Sequence, residues 1–358
     1  MSFRLEDYHF ELPQSLIAQT PVEPRDHSRL LVLHRSSGKM EHRTFLDLPE
    51  YLDSRDLVVA NNTRVLPARL RGHRVQADGA LGGRVEFLLL EEREPLVWEG
   101  AFKASAKALP GLRFRVPLPQ GGALEAELVR GSSDSESGTV WARFDRDPVS
   151  SGAGEIPLPH YMQREASALD QERYQTVYAR EAGSAATPTA GLHFTDRVRA
   201  RLRERGAEWN EVTLHVGLGT FRPVKTSDIR SHAMHEERYL VPAEVAQKVN
   251  GAKSASGKNL GQRVFAVGTT TVRTLESAWD PETGQVQAGS GRTRAFIYPG
   301  GQPLRVVDRL LTNFHLPGST LLMLVSALAG RELTLEAYRV AVAEKYRFYS
   351  YGDAMLVL

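Results

Sequence analysis

Apolar and polar residues follow two different rhythms along this chain. Between residues 64 and 148 the runs are short: VEFLLLEE (85–92), LVWEGAFKA (96–104), LRFRVPL (112–118), ALEAELVR (123–130) and TVWARFD (139–145). Several alternate apolar and polar, the period of a half-buried strand. Gly-rich breaks separate them, ALGG (80–83), PQGG (119–122) and RGSSDSESG (130–138), and no helix-length periodic segment intervenes. This pattern predicts an antiparallel sheet or small β-barrel. Because it lies inside the chain, it reads as an inserted domain at 64–148.

The flanking sequence has another texture. LLVL (30–33) and DLVVANNT (56–63) read as buried strands, the second ending in a polar turn. After residue 155, strands run through turns into helices. EVTLHVGLG (211–219) ends in glycines, RVFAV (263–267) leads through GTTT into the helix VRTLESAW, and VVDRLLTNFHLPGST (306–320) leads into LLMLVSALAG. LEAYRVAVAEKYRF (335–348) has helical spacing, and AMLVL (354–358) is a last strand. Such alternation predicts an α/β domain with a mixed, partly parallel sheet, assembled from residues 1–63 and 149–358. In such sheets functional groups gather at the carboxyl ends of the strands.

Composition narrows the chemistry. With 358 residues the chain is long enough for two domains. It has no cysteine, which excludes disulfides, thiolate zinc sites, iron–sulfur clusters and a cysteine nucleophile. The start, MSFRLEDYHFELP, lacks a signal-peptide pattern, and LLMLVSALA (321–329) is too short to span a bilayer, so the expectation is a cytoplasmic, non-membrane protein. A net charge of +2 imposes no global field that demands a nucleic-acid partner. DRVRARLRERG (196–206) carries five arginines and reads as a solvated face, with contact to RNA phosphate as the other possibility.

Chemistry-bearing residues cluster in turns. ATPTAGLHF (186–194) surrounds one histidine with small residues, and Thr195 is placed to cap the next helix. TLHVGLGTFRPV (213–224) puts His215 in a strand followed by Gly217 and Gly219, where a backbone can approach a ligand closely. SHAMHEER (231–238) is not a zinc motif, but His235 and Glu236 suit proton transfer. VGTTTVRTLES (267–277) places three threonines at a helix start, which suits an anion or a simple cap. LTNFHLPGST (311–320) and YRFYSYGDAM (346–355) add Asn313, His315 and Asp353. GAKSASGKN (251–259) resembles a P-loop, but its spacing is one residue too long and Asn259 stands where Ser or Thr is required.

Taken collinearly these strings are far more specific than any one of them. With FELPQSLIAQTPVEPRDHSRLLVL (10–33) and YQTVYA (174–179), the chain resembles the S-adenosylmethionine:tRNA ribosyltransferase-isomerases of queuosine biosynthesis, nearly end to end. It departs from the usual pattern at Thr187, Asn62 and Glu237. The resemblance implies an α/β domain with an inserted β-barrel. It also implies a reaction in which the ribosyl group of S-adenosylmethionine is transferred to 7-aminomethyl-7-deazaguanine at a tRNA wobble position and isomerised. Epoxyqueuosine forms, and adenine and methionine leave. S-adenosylmethionine is then a co-substrate, with no resident cofactor and no metal, and the enzyme is expected to be a monomer.

That reaction needs proton traffic. The sulfonium acidifies the adjacent 5′ carbon, adenine leaves only when protonated, and the attacking amine must be neutral. His193, His215, His235, Glu236, His315 and Asp353 are the candidates for this traffic, with base and acid unassigned. Thr189, Gly217, Gly219, Thr269, Thr270, Arg273 and Asn313 are the candidates for holding the donor, Arg273 through a bidentate pairing with the methionine carboxylate. Two rival functions remain. An S-adenosylmethionine-dependent RNA methyltransferase predicts a glycine-rich turn near the first strand, and none is present. A non-catalytic RNA-binding module predicts exposed aromatics among Phe87, Trp98, Phe102, Phe114, Trp141 and Phe144, which equally suit a barrel core.

Overall fold

The computed structural model describes residues 3–131, 138–159, 161, 162, 164–217, 224–254 and 261–358. A nine-stranded mixed sheet forms the main body. Its centre is four parallel strands in the order Glu208–Leu214, Asp56–Asn61, Arg263–Val267 and Arg309–Asn313. Ala354–Val357 runs antiparallel to Arg309–Asn313 and parallel to Arg29–Leu33, and Met40–Thr44 closes that edge. Glu237–Val241 and Gly289–Thr293 form the other, antiparallel edge.

The central strands bury both faces, so their sequences read as continuous apolar runs. Alternate side chains still go to opposite sides. Leu57, Val59, Val264 and Ala266 enter one core with the helices Ala243–Lys253, Thr269–Ser277, Thr320–Ala329 and Arg331–Ala343. Val58, Ala60, Phe265 and Val267 enter a second core with the helix Asp196–Glu204 and the turn Phe45–Tyr51. The last long helix therefore lies a few residues earlier than the 335–348 pattern predicts; Lys345, at φ 57°, turns the chain out of it.

The second sheet is a closed barrel. Strands Arg69–Val75, Leu81–Glu94, Val97–Ala104, Val140–Phe144, Ala123–Arg130 and Arg113–Pro117 pair antiparallel in that order, and the last returns to the first. Phe87, Trp98, Phe114 and Phe144 fill its interior as core residues, and the half-buried Phe102 packs against them. Trp141 is the exception, half-buried between the guanidinium groups of Arg93 and Arg130.

Part of the arginine-rich helix is stitched to the body, while Arg203 and Arg205 stay exposed on a solvated face. Arg197 pairs with the buried Asp26 at 3.0 Å, Arg201 donates to the Leu46 carbonyl at 2.8 Å, and Arg199 lies over the Trp209 ring at 4.8 Å. Thr195 caps this helix as expected, accepting from the Val198 N–H. Of the P-loop look-alike, 251–253 end the helix Ala243–Lys253, and 255–259 lie outside the described residues. No helix among the described residues is long and apolar enough to cross a membrane.

Candidate functional site

All four central parallel strands end on the same edge of the sheet, and two hollows open there. The first is a cavity of about 320 Å³. Its wall is built from three strand-to-helix turns: Ala186–Ala190, Gly268–Thr270 and Thr312–Leu321, with Tyr161, Val216, Tyr349 and Ser350 completing it. Thr189, Thr269, Thr270, Asn313 and His315 all line it, so the fold brings these candidates from three turns together. Among the described residues, the lining contains no Asp or Glu.

The threonines do not cap their helix. Gly268 is the N-cap, at φ 86° and ψ 154°, a conformation essentially confined to glycine. Thr271 and Thr274 donate back to the carbonyls of Val267 and Thr270, and Thr270 accepts from Asn61. The first N–H groups of the helix have no partner within it and stand at the cavity wall. The neighbouring helix is conventionally capped, Ser319 accepting from Leu322.

The second hollow is a wider cleft of about 620 Å³ between sheet edge and barrel. Gly183, His215, Gly217, His235 and Glu236 line it from the main domain, with Arg93, Glu99 and Arg130 from the barrel. Its polar network centres on Glu91, which meets Arg93 at 3.0 Å, Arg292 at 3.0 Å and Arg238 at 3.5 Å. Glu236 pairs with Arg292 at 2.8 Å and Arg294 at 3.5 Å. Five arginines thus face three carboxylates, Glu91, Glu99 and Glu236, while Glu237 is taken up by Arg273. The balance attracts a polyanion. Val216 lines both hollows, so they meet beside His215.

Three histidines are held neutral by burial. His215 is pushed down to about 4, first by burial and then by the Arg238 charge; its Nδ1 lies 2.8 Å from the Thr63 hydroxyl. His315 is pushed down to about 3 by burial, with Nε2 2.7 Å from Thr312 Oγ1. His193 is pushed down to about 4 by burial, against the pull of the Asn313 amide. It does not face the large cavity. It stacks on Phe45, lies 2.7 Å from Ser28 Oγ, and borders only a small void behind the site.

Two other expectations need correction. Arg273 lies on neither hollow. It is 2% exposed, its guanidinium pairs with Glu237, and its Nε–H goes to the Ala295 carbonyl, so a donor carboxylate cannot reach it. Asp353 is also off both hollows; its oxygens accept the backbone N–H groups of Arg29 and Arg347 at 2.9 and 2.8 Å, which ties the C-terminal turn to the sheet. Gly219 lies outside the described residues. Among the described residues no group of His, Asp or Glu is placed to hold a metal ion.

The Arg273–Glu237 pair organises the cleft floor, because Glu237 Oε1 also accepts the Gly217 N–H at 2.9 Å. Removing one partner strands a buried charge, which typically costs about 3–5 kcal/mol. Glu237→Ala is expected to lower stability by that amount in urea unfolding. An unchanged midpoint would show that the pair carries no weight.

Sequence reasoning missed Tyr161, Tyr349, Ser350 and the barrel arginines. Tyr349 lies in YRFYSYGDAM (346–355), where one aromatic among several reads as packing.

Comparisons with known proteins agree on one family. The sequence profile of the queuosine biosynthesis protein family matches residues 5–357. Relatives named S-adenosylmethionine:tRNA ribosyltransferase-isomerase include those of Symbiobacterium thermophilum, 51% identical over 357 residues, and Moorella thermoacetica, 50% identical over 358 residues. Each alignment covers 99% of this chain and 100% of the relative. The crystal structure of the S-adenosylmethionine tRNA ribosyltransferase from Thermotoga maritima is 37% identical, covers 98% of this chain and 100% of its own, and superposes with a TM-score of 0.54.

Proposed function

This chain belongs to the queuosine biosynthesis family of S-adenosylmethionine:tRNA ribosyltransferase-isomerases, and from that premise we propose how its two hollows divide the reaction. It is an enzyme of queuosine synthesis that uses S-adenosylmethionine and tRNA. In our reading the ribosyl group goes to 7-aminomethyl-7-deazaguanine at the wobble position, giving epoxyqueuosine, adenine and methionine. S-adenosylmethionine is a co-substrate without a resident cofactor, and the enzyme works as a cytoplasmic monomer.

The observation that carries this division is that the hollows differ in character and meet at Val216. The smaller, mostly apolar cavity, with no carboxylate among its described lining residues, suits the donor. The helix-start N–H groups of Thr269 and Thr270 suit its methionine carboxylate, the role that Arg273 cannot fill. The larger, arginine-rich cleft suits a nucleotide on an RNA backbone, with barrel and sheet gripping opposite sides. The ribose then lies at the junction, beside His215. His235, Glu236 and Gly217 belong to the acceptor side, and Thr189, Thr269, Thr270, Asn313 and His315 to the donor side. His193 and Asp353 support the site from behind it.

The test is incubation with S-adenosylmethionine and tRNA carrying the aminomethyl-deazaguanine, followed by mass spectrometry of the nucleosides. A mass gain at that base with adenine and methionine released is expected. S-adenosylhomocysteine as the product, or no mass gain, would overturn the reading.

A further inference from the structure

Tyr349 is one of three non-glycine residues with positive φ among the described residues, at 73°. The other two have plain local reasons. Leu96 lies in the tight connection between two barrel strands, and Lys345 follows a helix end. Tyr349 alone of the three lines the donor cavity. An aromatic residue in the left-handed region is disfavoured, and persists only where the surroundings over-determine it.

Those surroundings are visible. The Tyr349 N–H donates to the Phe314 carbonyl at 3.1 Å, and its own carbonyl accepts from Asn313 Nδ2 at 2.8 Å and from the Gly352 N–H at 2.9 Å. The end of a central strand thus clamps the residue on both sides of its Cα. Its ring lies against Tyr161 with centroids 3.7 Å apart and planes at 32°, and the Tyr161 hydroxyl is hydrogen-bonded to Ser350. Tyr161 enters from the segment that returns from the barrel. Three separate parts of the chain therefore combine to fix one aromatic wall in the cavity.

The rest of the lining says what that wall meets. It is small and apolar around Ala186, Pro188 and Ala190, and has no carboxylate. Thr187, a neighbour on the same wall, is 5% exposed, and its hydroxyl has no hydrogen-bond partner. A flat aromatic face beside one unsatisfied hydroxyl fits a heteroaromatic ring: the face supplies stacking, and the hydroxyl pairs with a ring nitrogen.

We propose that Tyr349, backed by Tyr161, is the stacking wall for the adenine of the donor, with Thr187 pairing to its edge. This rests on placing the donor in this cavity. Tyr349 is then a positioning residue. It holds the leaving base so that the ribose reaches the junction at His215, and its backbone strain is sustained because only that conformation turns the ring into the cavity.

The test separates ring from backbone. Asparagine tolerates positive φ, so Tyr349→Asn removes the ring and keeps the turn, while Tyr349→Phe keeps the ring. Base–aromatic stacking corresponds to roughly a 5- to 150-fold change in affinity. Titration calorimetry is expected to show Tyr349→Asn weakened about 10-fold or more for S-adenosylmethionine, and by the same factor for 5′-methylthioadenosine, which has the adenine but no sulfonium or carboxylate. Tyr349→Phe should bind both within about threefold of wild type. In turnover, Tyr349→Asn should raise the KM for S-adenosylmethionine far more than it lowers kcat. Equal binding by wild type and Tyr349→Asn would overturn the proposal. So would weakening confined to S-adenosylmethionine, which would put the sulfonium and not the base on the ring. If the wild-type protein bound neither compound, the placement of the donor itself would fall.

Discussion

Replacing His215 by alanine is expected to lower kcat by about 10²- to 10⁴-fold, the range for a lost general acid–base group, while leaving the KM for S-adenosylmethionine little changed. The reasoning starts from position. Among the candidate histidines, His215 lines the cleft directly beside Val216, the residue that the two hollows share; His235 lines the cleft further along the chain, His315 lies in the donor cavity, and His193 behind both. Its protonation fits a base. The Thr63 hydroxyl can give its proton to the Glu181 carbonyl at 3.3 Å and accept the ring N–H at Nδ1. Nε2 then keeps its lone pair and can take the proton from the acidified 5′ carbon. Because burial holds the ring near 4, it is unprotonated throughout the neutral range. A base works only when unprotonated, so the acid limb it contributes to kcat lies below about pH 5, not near 6.5. Packing supplies a second arm. A Cβ on Gly183 would come within 2.8–3.0 Å of the imidazole ring, so Gly183→Ala should displace the ring and copy much of the defect. A His215→Ala enzyme that folds normally and turns over within threefold of wild type would remove His215 from the proton traffic.

The fold was legible where burial is simple. Period-two alternation from 85 to 145 marked the barrel, since one face of each strand packs inward and the other meets solvent. The central parallel strands announced themselves as apolar runs buried on both sides. The sheet edges were not legible. MEHRT (40–44) and GSGRT (289–293) are polar strands held by ladder hydrogen bonds to one neighbour, and no side-chain pattern betrays that. Nor did the sequence show that Ala354–Val357 slots between Arg309–Asn313 and Arg29–Leu33, a choice made by long-range packing.

The site divides in a similar way. Turns at the carboxyl ends of parallel strands must converge once the sheet forms, so the Thr, Asn and His positions there were readable. Pairing across the chain was not. Arg273 looked like a carboxylate clamp because nothing in its helix reveals Glu237, 36 residues away, as its partner. Asp353 looked like an acid because two backbone N–H groups cannot be read from side-chain spacing. In both cases the charged group serves the architecture that holds the edge where the two hollows open.

That architecture makes the protein acid-sensitive, and the effect should be large. His193, His215 and His315 are pushed down by burial to about 4, 4 and 3, whereas an exposed or unfolded histidine titrates near 6.5. As pH falls below 6.5 the unfolded chain takes up protons at these positions and the folded chain does not. The stability they contribute is therefore complete above about 6.5 and lost as pH falls toward 4. Each group changes the unfolding free energy by about 1.4 kcal/mol per pH unit inside that window, so the three together give about 4 kcal/mol per unit. That is a large fraction of a typical 5–15 kcal/mol folding free energy. The paired carboxylates Glu41, Asp53 and Asp170 are held well below the usual range and lose their contribution only at lower pH, so they do not create this slope. Buried Glu276 and Asp353 are raised by desolvation and oppose it, because the folded state takes up their protons first. Urea unfolding at pH 7, 6 and 5 should show the steep fall. His193→Gln and His315→Gln should each flatten it by about 1.4 kcal/mol per unit, whatever they do to stability at pH 7. Variants with the wild-type slope would mean that these rings take up protons in the native protein as readily as in the unfolded chain, and that their surroundings are wetter than their burial implies.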